Sequence, residues 1–272
     1  MIIKLFFKFS KKIYILTFIL KLNNIWAINM RTSNPALSND TFTGFNTYGQ
    51  NQMTINGTVN NTIISLGIVS ICAYFSWDVL FFSSYSGILM LITPILGFVM
   101  ALATIFKKEW APATVPIYCI FEGLFLGLIS GFFELMYPGI IFQAVIATFG
   151  VLFSLLFAYK SKLIRATENF KLGIVAATGG IALVYIVSLL LGLFGIPIPL
   201  IFGSGPVGII FSLFVVIIAA LNLVLDFDFI EQGEKYGAPK YMEWYGAFGL
   251  MVTLIWLYLE ILKLLAKLRS RN

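Results

Sequence analysis

Residues 206–233 read PVGIIFSLFVVIIAALNLVLDFDFIEQG. As far as Leu225 the stretch carries no charge, and it is long enough to cross a hydrocarbon core of about 30 Å, for which a helix needs roughly 20 apolar residues. Inside a bilayer no water is present to bond an open backbone, so such a run is a helix with its own hydrogen bonds satisfied. Two carboxylates, Asp226 and Asp228, follow at once. Few other charges are found in the chain, so the position of these two calls for a physical reason.

The rest of the sequence repeats the pattern. The chain has 272 residues, of which 60% are hydrophobic and only 11% charged, with a mean hydropathy of +0.95. Soluble domains carry about 25% charged residues, so this is a membrane protein. Seven segments are long and apolar enough to span: 62–80, 86–106, 113–135, 139–159, 172–196, 206–226 and 244–264. Strands of a transmembrane barrel would alternate apolar and polar residues over about ten positions, and these runs do not alternate. The expected fold is all-α: a polytopic bundle of seven transmembrane helices.

Basic residues mark alternate connections. Lys107 and Lys108 lie between the second and third spans, Lys160, Lys162, Arg165 and Lys171 between the fourth and fifth, and Lys235 and Lys240 between the sixth and seventh. The positive-inside rule assigns these loops, and the segment preceding the first span, to the cytoplasm. Seven crossings then put the basic end, KLLAKLRSRN, on the opposite side, against the same rule. Either Lys263, Lys267 and Arg269 snorkel at the far interface, or the seventh segment does not cross fully.

Residues 1–29 combine a basic start (Lys4, Lys8, Lys11, Lys12) with an apolar centre too short to span, and Met30 follows them as a candidate start. They read as an upstream extension or an interfacial basic helix. Residues 30–61, rich in Asn, Thr, Ser and Gly, read as a flexible polar cytoplasmic tail ahead of a transmembrane domain at 62–269. On that side of the membrane the Asn-x-Ser/Thr matches at Asn39, Asn56 and Asn60 are chance matches.

The chain has no histidine. A Ser-His intramembrane protease and imidazole-based haem or zinc sites are therefore excluded, and no enzymatic activity is expected. A retinal protein would need a lysine in the middle of the last span, and none is present there. Cys72 and Cys119 sit in separate spans as small apolar residues.

Of the 12 acidic residues, Asp40 falls in the tail, and Asp78, Glu109, Glu134, Glu168, Glu231, Glu234 and Glu243 fall at span ends or in loops, where they are expected to be solvated. Four are informative: Glu122, Asp226, Asp228 and Glu260. An ionisable group within a span costs at least about 2.5–3.5 kcal/mol and faces the bundle interior or a wet cavity. Glu122 opens EGLFLGLISG, in which Gly123, Gly127 and Gly131 repeat the small-xxx-small spacing that lets two membrane helices approach closely. Asp226 shares a helix face with Asn222, four residues earlier. Glu260 is either an interior carboxylate or the partner of Lys263 three residues on.

LNLVLDFDFIEQG, followed by LIWLYLEILKLLAKLR, resembles the last two helices of the Bax inhibitor-1 family, and RTSNPAL, NGTVNNT and EGLFLGLISG resemble its larger bacterial branch. The resemblance implies a seven-helix fold in the inner membrane, with the last helix near the centre, and a leak pathway for calcium or other cations. It also implies an acid on each of the last two helices that share a proton and act as pH sensor and gate. Asp226 matches the first acid and Glu260 the second, with Asp228 able to replace or supplement Asp226. Two carboxylates at one site cannot both be ionised cheaply, and oxygen ligands suit a hard ion such as calcium. A basic latch for these acids has its nearest candidate in Lys107. The expected partners are the lipid bilayer, calcium or another cation and a second membrane protein; no cofactor and no nucleic acid is expected. The rival reading is a non-conducting regulator that binds another membrane protein, for instance a quality-control protease.

Overall fold

The computed structural model describes residues 52–196 and 198–271, apart from the side chain of Pro199. The extension 1–29 and the tail as far as residue 51, with Asn39, lie outside the described residues. Seven long helices follow in order: α1 (Ile55–Phe75), α2 (Ser86–Phe106), α3 (Ala111–Met136), α4 (Ile140–Lys160), α5 (Glu168–Leu193), α6 (Pro206–Lys235) and α7 (Met242–Arg269), with a single helical turn, Pro199–Phe202, between α5 and α6. All seven are long and apolar enough to cross a membrane.

Local chemistry sets the helix ends. Thr54 caps α1, its hydroxyl accepting from the Gly57 amide at 2.9 Å, and Thr167 caps α5 by accepting from Phe170, each satisfying one of the amides that a helix start leaves without a partner. Pro206 opens α6, where its missing N–H is no loss. Gly139, at φ +80°, turns the chain between α3 and α4, a conformation that costs other residues a Cβ clash. Two boundaries differ most from those read in the hydropathy. α1 starts at Ile55, so Asn56 and Asn60 are helical, and α6 runs on to Lys235. Asp226 thus lies inside a helix, about two and a half turns from its end.

α7 is the central element, packing against α6, α1, α4 and α3. It is buried along most of its length, from Glu243 to Ala266. α2 packs chiefly on α3, and α5 on α6. At the end of α1 the helix widens into a π-turn, Ser76–Leu80, and the Ser76 hydroxyl crosses to donate to the Leu124 carbonyl of α3 at 2.7 Å.

Connections alternate between two faces of the bundle. The α2–α3, α4–α5 and α6–α7 loops share the basic face, and the other three share the far face. The start of the described chain belongs to the basic face, because the Met53 amide donates to Ala238 O at 2.7 Å in the α6–α7 loop. The end of α7 belongs to the far face: Arg269 donates to Pro138 O at 2.7 Å in the α3–α4 loop, and Ser270 bonds Ser204 in the α5–α6 loop at 2.6 Å. The two ends therefore lie on opposite faces, as an odd number of crossings requires. Loop carbonyls receive the basic end that runs against the positive-inside rule.

Candidate functional site

α6 and α7 form an antiparallel hairpin, and Asp226 sits within the seam between them, 5% exposed. Its partner on α7 is the Thr253 hydroxyl, which donates to Oδ2 at 2.6 Å. One turn earlier, α6 turns Asn222 the other way, toward α5, where its amide donates to Thr178 Oγ1 at 3.0 Å. The polar face read in the sequence is thus shared between two neighbouring helices.

Glu260 is 2% exposed but does not meet Asp226. It lies two turns beyond Thr253, about 10 Å along the axis at 1.5 Å per residue. There its Oε1 accepts from Lys263 Nζ at 2.8 Å and from the Tyr185 hydroxyl of α5 at 3.2 Å. The structure does not bring together the two carboxylates expected to share a proton, because the register of the hairpin sets a threonine opposite Asp226. The pairing of Glu260 with Lys263 is formed inside the bundle.

Asp228, one residue pair further along α6, forms an ion pair with Lys171 at the start of α5, 2.7 Å apart with both side chains 15% exposed. Lys107, the nearest candidate for a latch, lies over the Trp110 ring at 4.4 Å. The lysines that engage the acids are Lys171 and Lys263, neither of them on the second span.

Glu122 on α3 is 1% exposed and lies against α2, so close that a Cβ at Gly97 would stand 2.8 Å from its Oε1. From the next residue on, the glycine series faces α1. A Cβ at Gly123 would come within 2.7 Å of Val69 O, one at Gly127 within 2.1 Å of Ala73 O, and one at Gly131 within 2.9 Å of the Phe81 ring. Glu122 therefore reaches α2 from a helix whose glycine edge closes on α1.

Three residues escaped the sequence reading. Glu243 was expected to be solvated but is only 6% exposed, accepting from the Thr54 amide at 3.0 Å and hydroxyl at 2.9 Å. Its partner falls in the segment read as a tail, although a threonine just ahead of an apolar run is a helix-start signal. Thr253 is one hydroxyl in an apolar run, and nothing local distinguishes it. Lys267 was read only as an interfacial lysine, yet its ammonium is held by three oxygens: Ser212 Oγ at 2.7 Å, Gly208 O at 2.9 Å and Ile201 O at 3.1 Å.

Among known families, the model described as Bax inhibitor 1 like matches residues 34–270. The chain belongs to this family. Searches of curated proteins and of solved structures found no match. The family match covers the whole seven-helix bundle of this Bax inhibitor 1 like protein, so all four informative acids, with Thr253, Lys171, Lys263 and Lys267, lie within the shared region. Each acid here already has a partner inside the fold. Groups of three or more His, Cys, Asp or Glu residues able to hold a metal are absent among the described residues.

Proposed function

We propose that this Bax inhibitor 1 like protein is a pH-sensitive leak pathway for cations, calcium among them, through the interior bounded by α3, α6 and α7. The observation that carries this reading is Asp226, a carboxylate buried in the α6–α7 seam that accepts from the Thr253 hydroxyl. Intramembrane acids are costly and mark ion or proton routes. Glu122 and Glu260 are two further acidic stations in the same bundle. The gate in this reading is not a shared proton between Asp226 and Glu260. It consists of separable contacts, Asp226 with Thr253, Asp228 with Lys171 and Glu260 with Lys263, each of which changes when its acid takes up a proton or a cation. Leakage requires no bond to be made or broken, and we assign no enzymatic role. In this reading the protein sits in the inner membrane, and the basic loops support an N-terminal side in the cytoplasm.

One observation favours the rival, a non-conducting regulator bound to another membrane protein. The acids are satisfied within the fold, as acids serving structure alone would be. Calcium entry into dye-loaded proteoliposomes, followed at acidic, neutral and mildly alkaline pH, separates the two readings. A pH-dependent leak that both Asp226→Asn and Glu260→Gln alter is the expected result. Folded protein that leaks no more than empty liposomes at any pH points to the regulator.

A further inference from the structure

On one face of α7, Glu260, Lys263 and Lys267 follow each other toward the far face. Lys263 is used by Glu260. Lys267 turns away from the solvent near its helix end and points into the α5–α6 connection. Its ammonium has three hydrogens to donate, and the three oxygens around it, Ser212 Oγ, Gly208 O and Ile201 O, accept at 2.7, 2.9 and 3.1 Å. A lysine near a membrane surface ordinarily extends its charged end to water. This one is drawn to an arrangement of oxygens that the backbone itself builds.

That arrangement depends on Gly208. A Cβ there would stand 2.1 Å from Gly203 O and 3.1 Å from Ile201 O, so only glycine lets the loop carbonyls close over the first turn of α6. The result is two carbonyls and a hydroxyl converging on one positive charge, with no carboxylate among them. Calcium draws in six to eight oxygens at about 2.3–2.6 Å and favours carboxylates. Neutral oxygens at the longer spacing seen here suit a larger, weakly hydrated monovalent cation, whose water shell carbonyls can replace.

We propose that the far end of the α6–α7 seam is a binding site for a monovalent cation of about the size of potassium, occupied in this state by the protein's own Lys267 ammonium. Lys267 is then a tethered ion at the far mouth of the pathway. Only this last statement rests on the leak reading; the site itself does not.

The test uses Lys267→Met, which keeps an unbranched side chain, ends one atom short of the ammonium and removes its charge. Melting of the detergent-solubilised protein is compared in potassium chloride, calcium chloride and N-methylglucamine chloride at equal ionic strength. The expected result is that potassium raises the melting temperature of Lys267→Met by several degrees over N-methylglucamine, that the intact protein shows no such difference, and that adding Ser212→Ala abolishes the rise. Equal melting of folded Lys267→Met in potassium and N-methylglucamine overturns the site. So does a rise that survives Ser212→Ala, or one larger in calcium than in potassium.

A second measurement does not require that variant to fold. Ser212→Ala alone, with Lys267 present, should increase several-fold the rate at which a water-soluble acylating reagent modifies Lys267, with exposed Lys162 as the internal reference; an unchanged rate overturns the cage. Potassium flux into proteoliposomes then addresses the mouth. Faster flux through Lys267→Met than through the intact protein supports the tethered ion. A potassium-dependent melting rise with no potassium flux in any variant sustains the site and overturns the tethered ion.

Discussion

Asp226 shows how one residue can be legible while its partner is not. An aspartate directly after an uncharged run stands out in a chain with so few acids. Which group meets it depends on the register of the α6–α7 hairpin, set by a loop whose contacts no local pattern announces. The hydroxyl of Thr253 is what arrives, at 2.6 Å. Thr253→Val keeps the shape and removes the donor. Hydrogen bonds between membrane helices contribute about 0.6 kcal/mol on average and up to about 1.7, so the expected loss is about 1 kcal/mol in reversible unfolding by denaturing detergent. Thr253→Ser should recover it, and a valine variant as stable as the intact protein would mean that Asp226 is held by other groups. The contact of Glu260 with Lys263 was legible as one of two alternatives, because three residues on a helix make neighbours whatever the tertiary fold.

The element with the most demanding fit is α3, whose glycine edge lies on α1. A methyl group at Gly127 would sit 2.1 Å from Ala73 O, a backbone atom that cannot rotate away. Gly127→Ala should therefore push α1 from α3 and destabilise the fold by about 1–3 kcal/mol, the usual range for overpacking. Gly173→Ala on α5, where a Cβ meets nothing within 4 Å, is the comparison: it should be neutral or stabilise by up to about 1 kcal/mol through helix propensity. Equal effects of the two in the same unfolding assay would remove the close approach as the explanation. The spacing of Gly123, Gly127 and Gly131 announced a close contact, but not its partner. The length of α6 was hidden for the opposite reason. Hydropathy ends a span where charge begins, whereas the backbone continues its hydrogen bonds past Asp226 and Asp228 to Lys235.

For the whole molecule, the spans were readable because a bilayer imposes one length on every crossing. The depth of each acid in the bundle was not, since it follows from which helices adjoin. The alternation of basic loops and the contacts of both ends predict a definite sidedness. In a background with Cys72 and Cys119 replaced by alanine, a cysteine at Ser161 in the α4–α5 loop and one at Ser270 beyond α7 should react with a membrane-impermeant maleimide from opposite sides of sealed vesicles. Labelling of both from the same side would leave α7 uncrossed.

The position of α7 has a consequence for how the chain is made. Translation delivers α1 to α6 before the helix on which α1, α3, α4 and α6 converge. Until α7 inserts, Asp226 lacks the Thr253 hydroxyl, Glu243 is not yet present to hold the start of α1, and the two carbonyls that will receive Lys267 have no cation from the chain. The half-made protein thus carries an intramembrane acid and an incomplete centre at the same moment, and one late insertion event resolves both. A delay at that step would expose the nascent chain in its most costly state, with six helices in the bilayer and the central one still outside it.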